Sequence, residues 1–502
     1  MRKYINKNKL QNNELSIISK FSFFKIVPFY NIFSNLKNIM LSSFLHTNEG
    51  ALFVLKTNKS LAFKDLLFKF KSKEFIESFT IGASFNDYPK TLKVFIRFYL
   101  DKDNLDIKHY SSSRVSFEDG YDLAISKAFG EAMERHSSCY NEWNKKTYYP
   151  KVKNIDASFL YKLIPKFTKI QIKNNPQFFS NEDDLKEIKG FKVRSLISGR
   201  SKLLPFNCFY WGDTIDVKQK IFLHQTTSGC GGGLTYRQAL LSSLYENIER
   251  DHFFLYWLSG INPNIIKNET IGGDFGVYIK EVKEKYNLDV YFLDLRYDTK
   301  VPVCICVIID PVLNLIAIGG KACSSSIETL KLSFVESMSI LSSIRESVSI
   351  SEETLKDVLK QKPFLENINR EKRLSLYNSR FGIERIKKSF LSGRFINFDD
   401  YDSSLKLFKD TKEELNYLID IFKDLKKEKG DGYDAYIHEF DSLWLSEMNY
   451  YSVKVFVPSF LKLYLNENLA TPISDRLVEF AKGKGKIINK EEDINPLPHF
   501  FP

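Results

Sequence analysis

The stretch that decides the fold is residues 226–251, TTSGCGGGLTYRQALLSSLYENIERD. Its glycine-rich first part predicts a turn. The apolar second part predicts a long helix whose start is marked by Thr235, a residue type that favours the N-cap position. This helix carries Glu-x-x-Glu, formed by Glu246 and Glu249. Because residues three apart on a helix share a face, this sequence places two carboxylates side by side.

The same pattern occurs earlier in the chain, in GEAMERH at residues 130–136. There Glu131 and Glu134 lie on another apolar helix, and in both copies an arginine after the second glutamate can reach the first glutamate one turn back. A third apolar helix follows the glycine turn of LIAIGGKACSSS and carries Glu336. Three such helices can bring five carboxylates to one cavity.

Two interpretations of these glutamates stay open. A single Glu-to-Arg pair on a helix is usually an ion pair on a wet surface. Repeated carboxylates on apolar helices are costly to bury alone, and they suit Mg²⁺, which takes one or two carboxylates and completes its shell with water and nucleotide phosphates. Arg114, in a polar loop before the first helix, is then a candidate phosphate contact. The chain contains no Gly-x-x-x-x-Gly-Lys-Ser/Thr, so any ATP is bound without a Walker P-loop.

The composition is that of a folded protein, because 502 residues with 43% hydrophobic content can bury a large core. The formal charge of +11 is spread thinly and forms no arginine-rich run, so nucleic-acid binding is not expected. Six scattered cysteines favour buried thiols in a reducing compartment over disulfides or zinc, including Cys304 and Cys306 on a strand. Neither a signal peptide nor a membrane-spanning helix is indicated, which predicts a cytoplasmic protein without membrane contact.

Strands that alternate with helices predict the α/β class. Residues 1–75 are expected to form a separate N-terminal unit, to which the residues assign no role. Beyond it, residues 91–100 predict a strand, HYSSSRVSFEDG a loop, and residues 121–143 a helix. LDVYFLDLRYD and VPVCICVIID predict buried strands, residues 352 to about 410 predict polar helices, and YDAYIHEF and YYSVKVFVPSF predict the last two strands.

Five segments, in this order and spacing, resemble the YcaO superfamily: GEAMER, TTSGCGGGLTYRQALLSSLYENIERD, LRYDTKVPVCICVIID, GGKACSSSIETLKLSFVES and YYSVKVFVPSF. The ending PLPHFFP is similar to the proline-rich C-terminus of that superfamily. The resemblance makes residues 76–502 the YcaO domain. Within the superfamily, the chain is most similar to the D-type, azoline-forming cyclodehydratase subunits of the microcin B17 synthetase type.

The resemblance implies a YcaO-type α/β fold, with repeated strand–helix units around a cavity for ATP and Mg²⁺. It assigns binding of the metal and the nucleotide to glutamates on three helices, Glu131, Glu134, Glu246, Glu249 and Glu336. It assigns further ATP contacts to Ser242, Arg114 and Arg345. Arg114 stands in place of the lysine of a Gly-Lys-Gly loop. Two departures leave triphosphate contacts open, since Lys127 replaces a usual serine and Ser339 replaces a common glutamine.

The activity implied by the resemblance is the ATP-dependent conversion of Cys, Ser or Thr in a ribosomal precursor peptide to thiazoline or oxazoline. The side chain attacks the preceding carbonyl, a phosphoryl group is transferred to the carbonyl oxygen, and phosphate leaves. The carboxylate of Pro502 is a candidate catalytic proton acceptor, with a merely docked tail as the alternative. Related YcaO enzymes install thioamides or amidines, and a non-catalytic YcaO scaffold is a further alternative.

The partners follow from the same resemblance. The residues show no module for leader-peptide recognition or for flavin oxidation. We therefore expect an E1-like or leader-binding partner protein to deliver the precursor peptide, and a separate flavin dehydrogenase wherever azoles are the final product. The expected assembly is a homodimer within a hetero-oligomer.

Overall fold

Two large sheets and the helices packed on them make up most of the described chain. The computed structural model describes residues 40–47, 50–56, 76–83, 88–89, 91–99, 108–116, 120–140, 150–212, 220–347, 364–365, 367–402, 408–441, 445–446 and 449–501. The strands are β1 Met40–Thr47, β2 Gly50–Lys56, β3 Ile76–Ala83, β4 Thr91–Tyr99, β5 Lys108–Ser116, β6 Cys139–Tyr140, β7 Lys153–Ile155, β8 Ile188–Ser195, β9 Ser201–Pro205, β10 Trp211–Gly212, β11 Cys230–Gly233, β12 Asn264–Ile266, β13 Asp289–Asp294, β14 Val303–Asp310, β15 Leu315–Ala322, β16 Phe395–Ile396, β17 Tyr436–Phe440 and β18 Tyr451–Phe456. The α-helices are α1 Gly120–Ser138, α2 Ser158–Tyr161, α3 Lys169–Asn174, α4 Tyr236–Ser259, α5 Gly273–Tyr286, α6 Ser326–Ser347, α7 Arg370–Tyr377, α8 Arg380–Ser389, α9 Phe398–Asp402, α10 Thr411–Lys429 and α11 Asp475–Gly483.

The first large sheet has the strand order β11-β18-β17-β8-β7, with β9 paired to β8, and its pairs are antiparallel. The second has the order β15-β14-β13-β12-β16, and only its β12–β16 pair is parallel. A smaller antiparallel sheet, β3-β4-β5, precedes α1. Among the residues that the structure describes, β11 and β15 each pair with one strand, so both are edge strands of their sheets.

Helix α4 lies at the centre of the core. It begins at a capping box formed by Thr235 and Gln238, and it ends at Gly260, whose φ of +63° is a left-handed conformation that glycine adopts without strain. Most of its side chains are buried, because α4 contacts the edge strands β11 and β15 as well as α10 and α11. The three elements α1, α4 and α6 are the helices on which the sequence places the paired or single glutamates.

The structure confirms the predicted α/β class and most of the predicted elements. Strand β4 and the two final strands form as expected, and Thr235 is the N-cap of the long helix. Cys304 and Cys306 are fully buried in β14. The predicted polar helices near 352–410 are seen in part, as α7, α8 and α9. Most of the predicted N-terminal unit, residues 1–75, lies outside the described residues.

Three local predictions were wrong in whole or in part. The supposed loop around Arg114 is strand β5, whose backbone pairs with β4 at Lys93. The Gly-Gly of LIAIGGKA lies inside β15, and the predicted turn of the first glycine-rich stretch is limited to Ser228 and Gly229, where φ is +80°, because Cys230–Gly233 is β11. In each case pairing with a neighbouring strand overrides the local preference of glycine and serine for turns. Helix α1 also ends at Ser138, earlier than predicted.

Candidate active site

Helix α1 presents the first pair of glutamates. Glu131 is one third exposed and forms an ion pair with Arg135 at 2.5 Å, as the i,i+4 spacing predicts. Glu134 faces inward, where burial, followed by the charges of Glu246 and Glu131, raises the pKa of its carboxyl to about 8. The hydroxyl of Tyr450 donates a hydrogen bond to it. The two members of the pair therefore differ. Glu131 is partly exposed and ion-paired with Arg135, whereas Glu134 faces inward and has a raised pKa.

Helix α4 presents the second pair. One carboxylate oxygen of Glu246, Oε2, accepts a hydrogen bond from the backbone N–H of Gly229 at 3.1 Å. Glu249 is only 3% exposed. Arg250 lies against both glutamates, 3.5 Å from Glu246 and 3.0 Å from Glu249. Burial raises the pKa of Glu246, with Arg250 opposing the shift and Glu249 adding to it.

Helix α6 and strand β15 complete the group. Burial, followed by the charge of Glu249, raises the pKa of Glu336 to about 7. Lys321, on β15, stands close to Glu249, Glu336 and Glu246. Burial opposes the charged form of Lys321, but these three carboxylates outweigh it and raise its pKa. The five predicted glutamates thus form one electrostatically connected group, as Glu134 interacts with Glu246 and Glu246 with Glu249 and Glu336.

Two glycines on the edge strands make room for this group. A Cβ atom at Gly232 of β11 would lie 2.5 Å from Oε1 of Glu134 and would also clash with the hydroxyl of Tyr450. A Cβ atom at Gly320 of β15 would lie 3.1 Å from Oε1 of Glu249. The glycines that the sequence suggested as turns therefore serve a different purpose, since they let the carboxylates approach the strand backbone.

The other predicted contact residues lie in different surroundings. Ser242 is exposed on the same face of α4 as Glu246, whereas its neighbour Ser243 is buried and donates a hydrogen bond to Gly229. Arg345 is nine residues after Glu336, which turns it to the opposite side of α6, and its guanidinium lies over the ring of Tyr88. The structure does not bring Arg345 to the carboxylates.

Three further predicted positions can be placed. Lys127 is exposed one turn before Glu131 on α1, and Ser339 is half-buried one turn after Glu336 on α6. Arg114 belongs to strand β5, and its side chain is outside the described part of the structure.

The C-terminal segment runs along the second half of α4 toward the glutamates. Its backbone is held at four points by hydrogen bonds from Asn495 to Leu258 (2.8 Å), from Trp257 to Leu497 (3.2 Å), from Tyr377 to Pro498, and from His499 to Glu467 (3.2 Å). Phe501 then lies over the guanidinium of Arg250, with 4.3 Å between Cζ and the ring centroid. Pro502 lies outside the described residues, so its proposed role stays a prediction.

Sequence reasoning missed three residues of the site. Lys321 directly follows the Gly-Gly pair. A prediction that this pair lies on a strand would therefore have drawn attention to Lys321. Tyr450 and Phe501 carry no such signal, because they reach the glutamates from distant parts of the chain. Their roles depend on tertiary packing alone.

The residues present fit a divalent cation bound together with a nucleotide. Among the described residues no three Cys, His, Asp or Glu side chains are gathered closely enough to hold a metal ion by themselves. Mg²⁺ at a nucleotide site requires one or two carboxylates, since water and phosphates supply its other ligands. Described cations that interact with these carboxylates include Arg135, Arg250, Lys321 and, beside Glu246, Lys454. The donors are all oxygen, and Oε1 of Glu249 is buried without a hydrogen-bond partner among the described residues.

Comparisons with known proteins bear on the family of the chain. The sequence model described as YcaO cyclodehydratase, ATP- and Mg²⁺-binding, matches residues 119–461. A search of curated proteins found no match. Within the described residues no helix is long and apolar enough to cross a membrane.

Several solved structures share the fold. A heterocyclase in complex with substrate and cofactor has a TM-score of 0.63 and 15% identity, over 85% of this chain and 55% of that one. YcaO from Methanopyrus kandleri bound with AMPPCP and Mg²⁺ has a TM-score of 0.55 and 12% identity, over 80% and 92%. The E. coli microcin synthetase McbBCD complex with pro-MccB17 bound has a TM-score of 0.50 and 14% identity, over 84% and 96%. The chain thus spans about half the length of the first of these proteins.

The family model covers more than half of the chain, and it includes α1, α4 and α6 with all five glutamates. The chain therefore belongs to the YcaO cyclodehydratase family, whose members bind ATP and Mg²⁺.

Proposed function

We propose that this chain is an ATP-dependent cyclodehydratase that converts Cys, Ser or Thr residues of a ribosomal precursor peptide to thiazolines or oxazolines. The observation that carries the proposal is the group of five glutamates on α1, α4 and α6, in which burial and mutual repulsion raise the pKa values of Glu134, Glu246 and Glu336. Carboxyl groups gathered in this way suit a divalent cation, which brings the nucleotide triphosphate with it, better than they suit an unliganded protein. Bound Mg–ATP would supply the phosphoryl group that makes the amide oxygen a leaving group.

The side chains have separate tasks in this proposal. Glu246, Glu249 and Glu336 hold the metal, with Glu131 and Glu134 on the facing helix. Arg250 and Lys321 limit the repulsion between the carboxylates when the nucleotide is absent. Ser242 and Arg114 contact the nucleotide, Ser242 from the exposed face of α4. These groups act mainly by positioning and by compensating charge, as is usual in phosphoryl transfer.

The carboxylate of Pro502 is proposed as the acceptor of the proton that is released as the ring forms. Support comes from the position of Phe501, the residue directly before it, against Arg250. Several hydrogen bonds and aromatic contacts hold the segment from Asn495 to Phe501, and they place Phe501 near the glutamates.

The proposed partners are a precursor peptide, an E1-like or leader-binding protein, and a flavin dehydrogenase where azoles are the product. The assembly is proposed to be a homodimer within a hetero-oligomer. Two observations support partner proteins: the first structural relative is about twice as long as the stretch this chain covers, and the E. coli microcin synthetase is a complex with pro-MccB17 bound.

The test is mass spectrometry of a candidate precursor peptide after incubation with this protein, its partner, Mg²⁺ and ATP. Loss of one water per modified residue is expected. A mass gain that matches sulfur in place of oxygen would identify a thioamide-forming enzyme instead. An unchanged peptide, in a mixture in which the partner binds both peptide and this chain, would favour a non-catalytic scaffold.

A further inference from the structure

The aromatic residue at the end of the described chain touches the group of glutamates through an arginine. Phe501 is 2% exposed, and its ring lies 4.3 Å from Cζ of Arg250. Arg250 in turn lies 3.0 Å from Glu249 and 3.5 Å from Glu246. A continuous line of contacts therefore joins the C-terminal segment to the carboxylates on α4.

Arg250 is held by charge and by this ring more than by directed hydrogen bonds. Its Nε and Nη1 atoms are buried, and neither has a hydrogen-bond partner among the described residues. The 3.0 Å between Nη1 and Glu249 is an ion-pair distance, but the N–H does not point at the oxygen. The orientation of a guanidinium in this state depends on what packs against its face.

The ring of Phe501 and the carboxylate of Glu249 both lie against Gly320 of β15. A Cβ atom at Gly320 would lie 3.0 Å from the ring of Phe501 and 3.1 Å from Oε1 of Glu249. The ring also packs on Phe253 of α4, with 4.9 Å between the centroids. Displacing the ring would thus change the surroundings of Arg250 and Glu249 together.

We infer that Phe501 is a positioning residue for Arg250, and that it couples docking of the C-terminal segment to binding of the Mg–nucleotide. The inference rests on the proposed function, because it takes the glutamates to be the nucleotide site. With the ring in place, Arg250 keeps its position beside Glu249 and Glu246, two of the carboxylates proposed to hold the metal. By thermodynamic linkage the coupling is reciprocal, so the bound nucleotide holds the C-terminal segment more firmly.

The test compares three variants with the wild-type full-length chain. Phe501→Leu removes the aromatic face but keeps an apolar side chain, and Phe501→Tyr keeps the face. Phe500→Leu is the matched control, because Phe500 packs on Trp257 and Phe390. Calorimetry gives the dissociation constant of Mg²⁺ with AMPPCP, a non-hydrolysable ATP analogue, so the readout does not depend on turnover. Hydrogen exchange of the amides from His499 to Phe501 reports docking of the segment.

A cation–π contact in a desolvated site corresponds to roughly a threefold to thirtyfold change in affinity. We expect that weakening for Phe501→Leu, and at most about a twofold change for Phe501→Tyr and Phe500→Leu. In the wild type, Mg–AMPPCP should slow exchange of the terminal amides, and this effect should shrink in Phe501→Leu.

Three results would overturn the inference. One is unchanged or tighter binding by Phe501→Leu. Another is equal weakening by Phe500→Leu, which would assign the effect to docking in general. The third is a wild type that does not bind Mg–AMPPCP at all, which would remove the proposed nucleotide site together with the inference. Binding by the wild type that is lost in Glu249→Gln and unchanged in Phe501→Leu would retain the proposed function and reject only this coupling.

Discussion

Replacing Glu134 by glutamine should make the nucleotide-free protein more stable while it impairs nucleotide binding. Glu134 is a largely enclosed carboxyl whose pKa is raised to about 8 by burial and by Glu246 and Glu131. Glutamine has the same shape, still accepts a hydrogen bond from Tyr450, and carries no charge. The substitution removes the electrostatic cost of the acid without opening a cavity.

The magnitude follows from the two pKa values. A carboxyl of ordinary pKa 4.5 that rises to about 8 keeps its proton in the folded state while the unfolded chain loses it. Below pH 4.5 both states are protonated and there is no cost. Between pH 4.5 and 8 the cost grows as pH rises, and above pH 8 it is constant. At 1.36 kcal/mol per pKa unit, the full shift gives about 2 kcal/mol at pH 6 and about 4 kcal/mol at pH 8. Since the side chain keeps some contact with solvent, half of these values is the expected stabilisation.

The assay is urea unfolding of the nucleotide-free protein in EDTA at pH 6 and pH 8. Glu134→Gln should exceed the wild type by about 1 kcal/mol at pH 6 and about 2 kcal/mol at pH 8. Glu131→Gln is the matched control on the same helix, because Glu131 is one third exposed and paired with Arg135, and it should not stabilise the protein at either pH. The reasoning would be refuted if Glu134→Gln were no more stable than the wild type, or if the difference in unfolding free energy did not grow with pH. Either result would show that the ionised Glu134 carboxyl does not destabilise the folded protein.

Further predictions concern the proposed chemistry. Glu246→Gln or Glu249→Gln should abolish Mg–ATP-dependent peptide modification in a folded protein, because an amide cannot compensate the charge of the metal; turnover at the wild-type rate with saturating ATP would contradict this. Arg114→Ala should raise the KM for ATP more than the KM for peptide, and the reverse pattern would assign Arg114 to the peptide channel. A few residues added after Pro502 should slow cyclisation strongly and leave nucleotide affinity nearly unchanged, since Phe501 stays in place; a normal cyclisation rate would show that the tail is only docked. Deleting the last few residues should slow cyclisation as well, but it should also weaken nucleotide binding, because it removes Phe501.

Local sequence was sufficient for the parts of the site that lie within one helix. Glu131 pairs with Arg135, and Arg250 lies next to Glu246, because the i,i+4 spacing is fixed by helix geometry. The same geometry placed Glu131 and Glu134 on one face, and it did not distinguish the exposed member of the pair from the enclosed one. Thr235 starts α4 through a capping box that can be read from four residues.

Sequence reasoning failed where a distant strand decides the local conformation. The serines around Arg114 and the glycines of β11 favour turns locally, yet pairing with β4 and β18 makes both segments strands. Arg345 was placed in the site by alignment, but the helical turn from Glu336 carries it to the opposite side of α6. Tyr450 and Phe501 lie far from the glutamates in the sequence and approach them only in the folded chain. No spacing within the sequence therefore indicates these contacts.

The difference between the two pairs of glutamates bears on the alternative of a non-catalytic scaffold. Glu131, with Arg135 on a half-exposed surface, is the ordinary ion pair that a single Glu-x-x-Glu-Arg would predict. Glu134 and Glu336 are different, because their pKa values of about 8 and about 7 show that the fold holds them against their electrostatic preference. A scaffold that bound no cation would be more stable with neutral residues at these two positions. Binding of a divalent cation and a nucleotide at these residues would recover the stability that the unliganded chain gives up, so these acids favour an enzyme that uses Mg–ATP over a scaffold that does not.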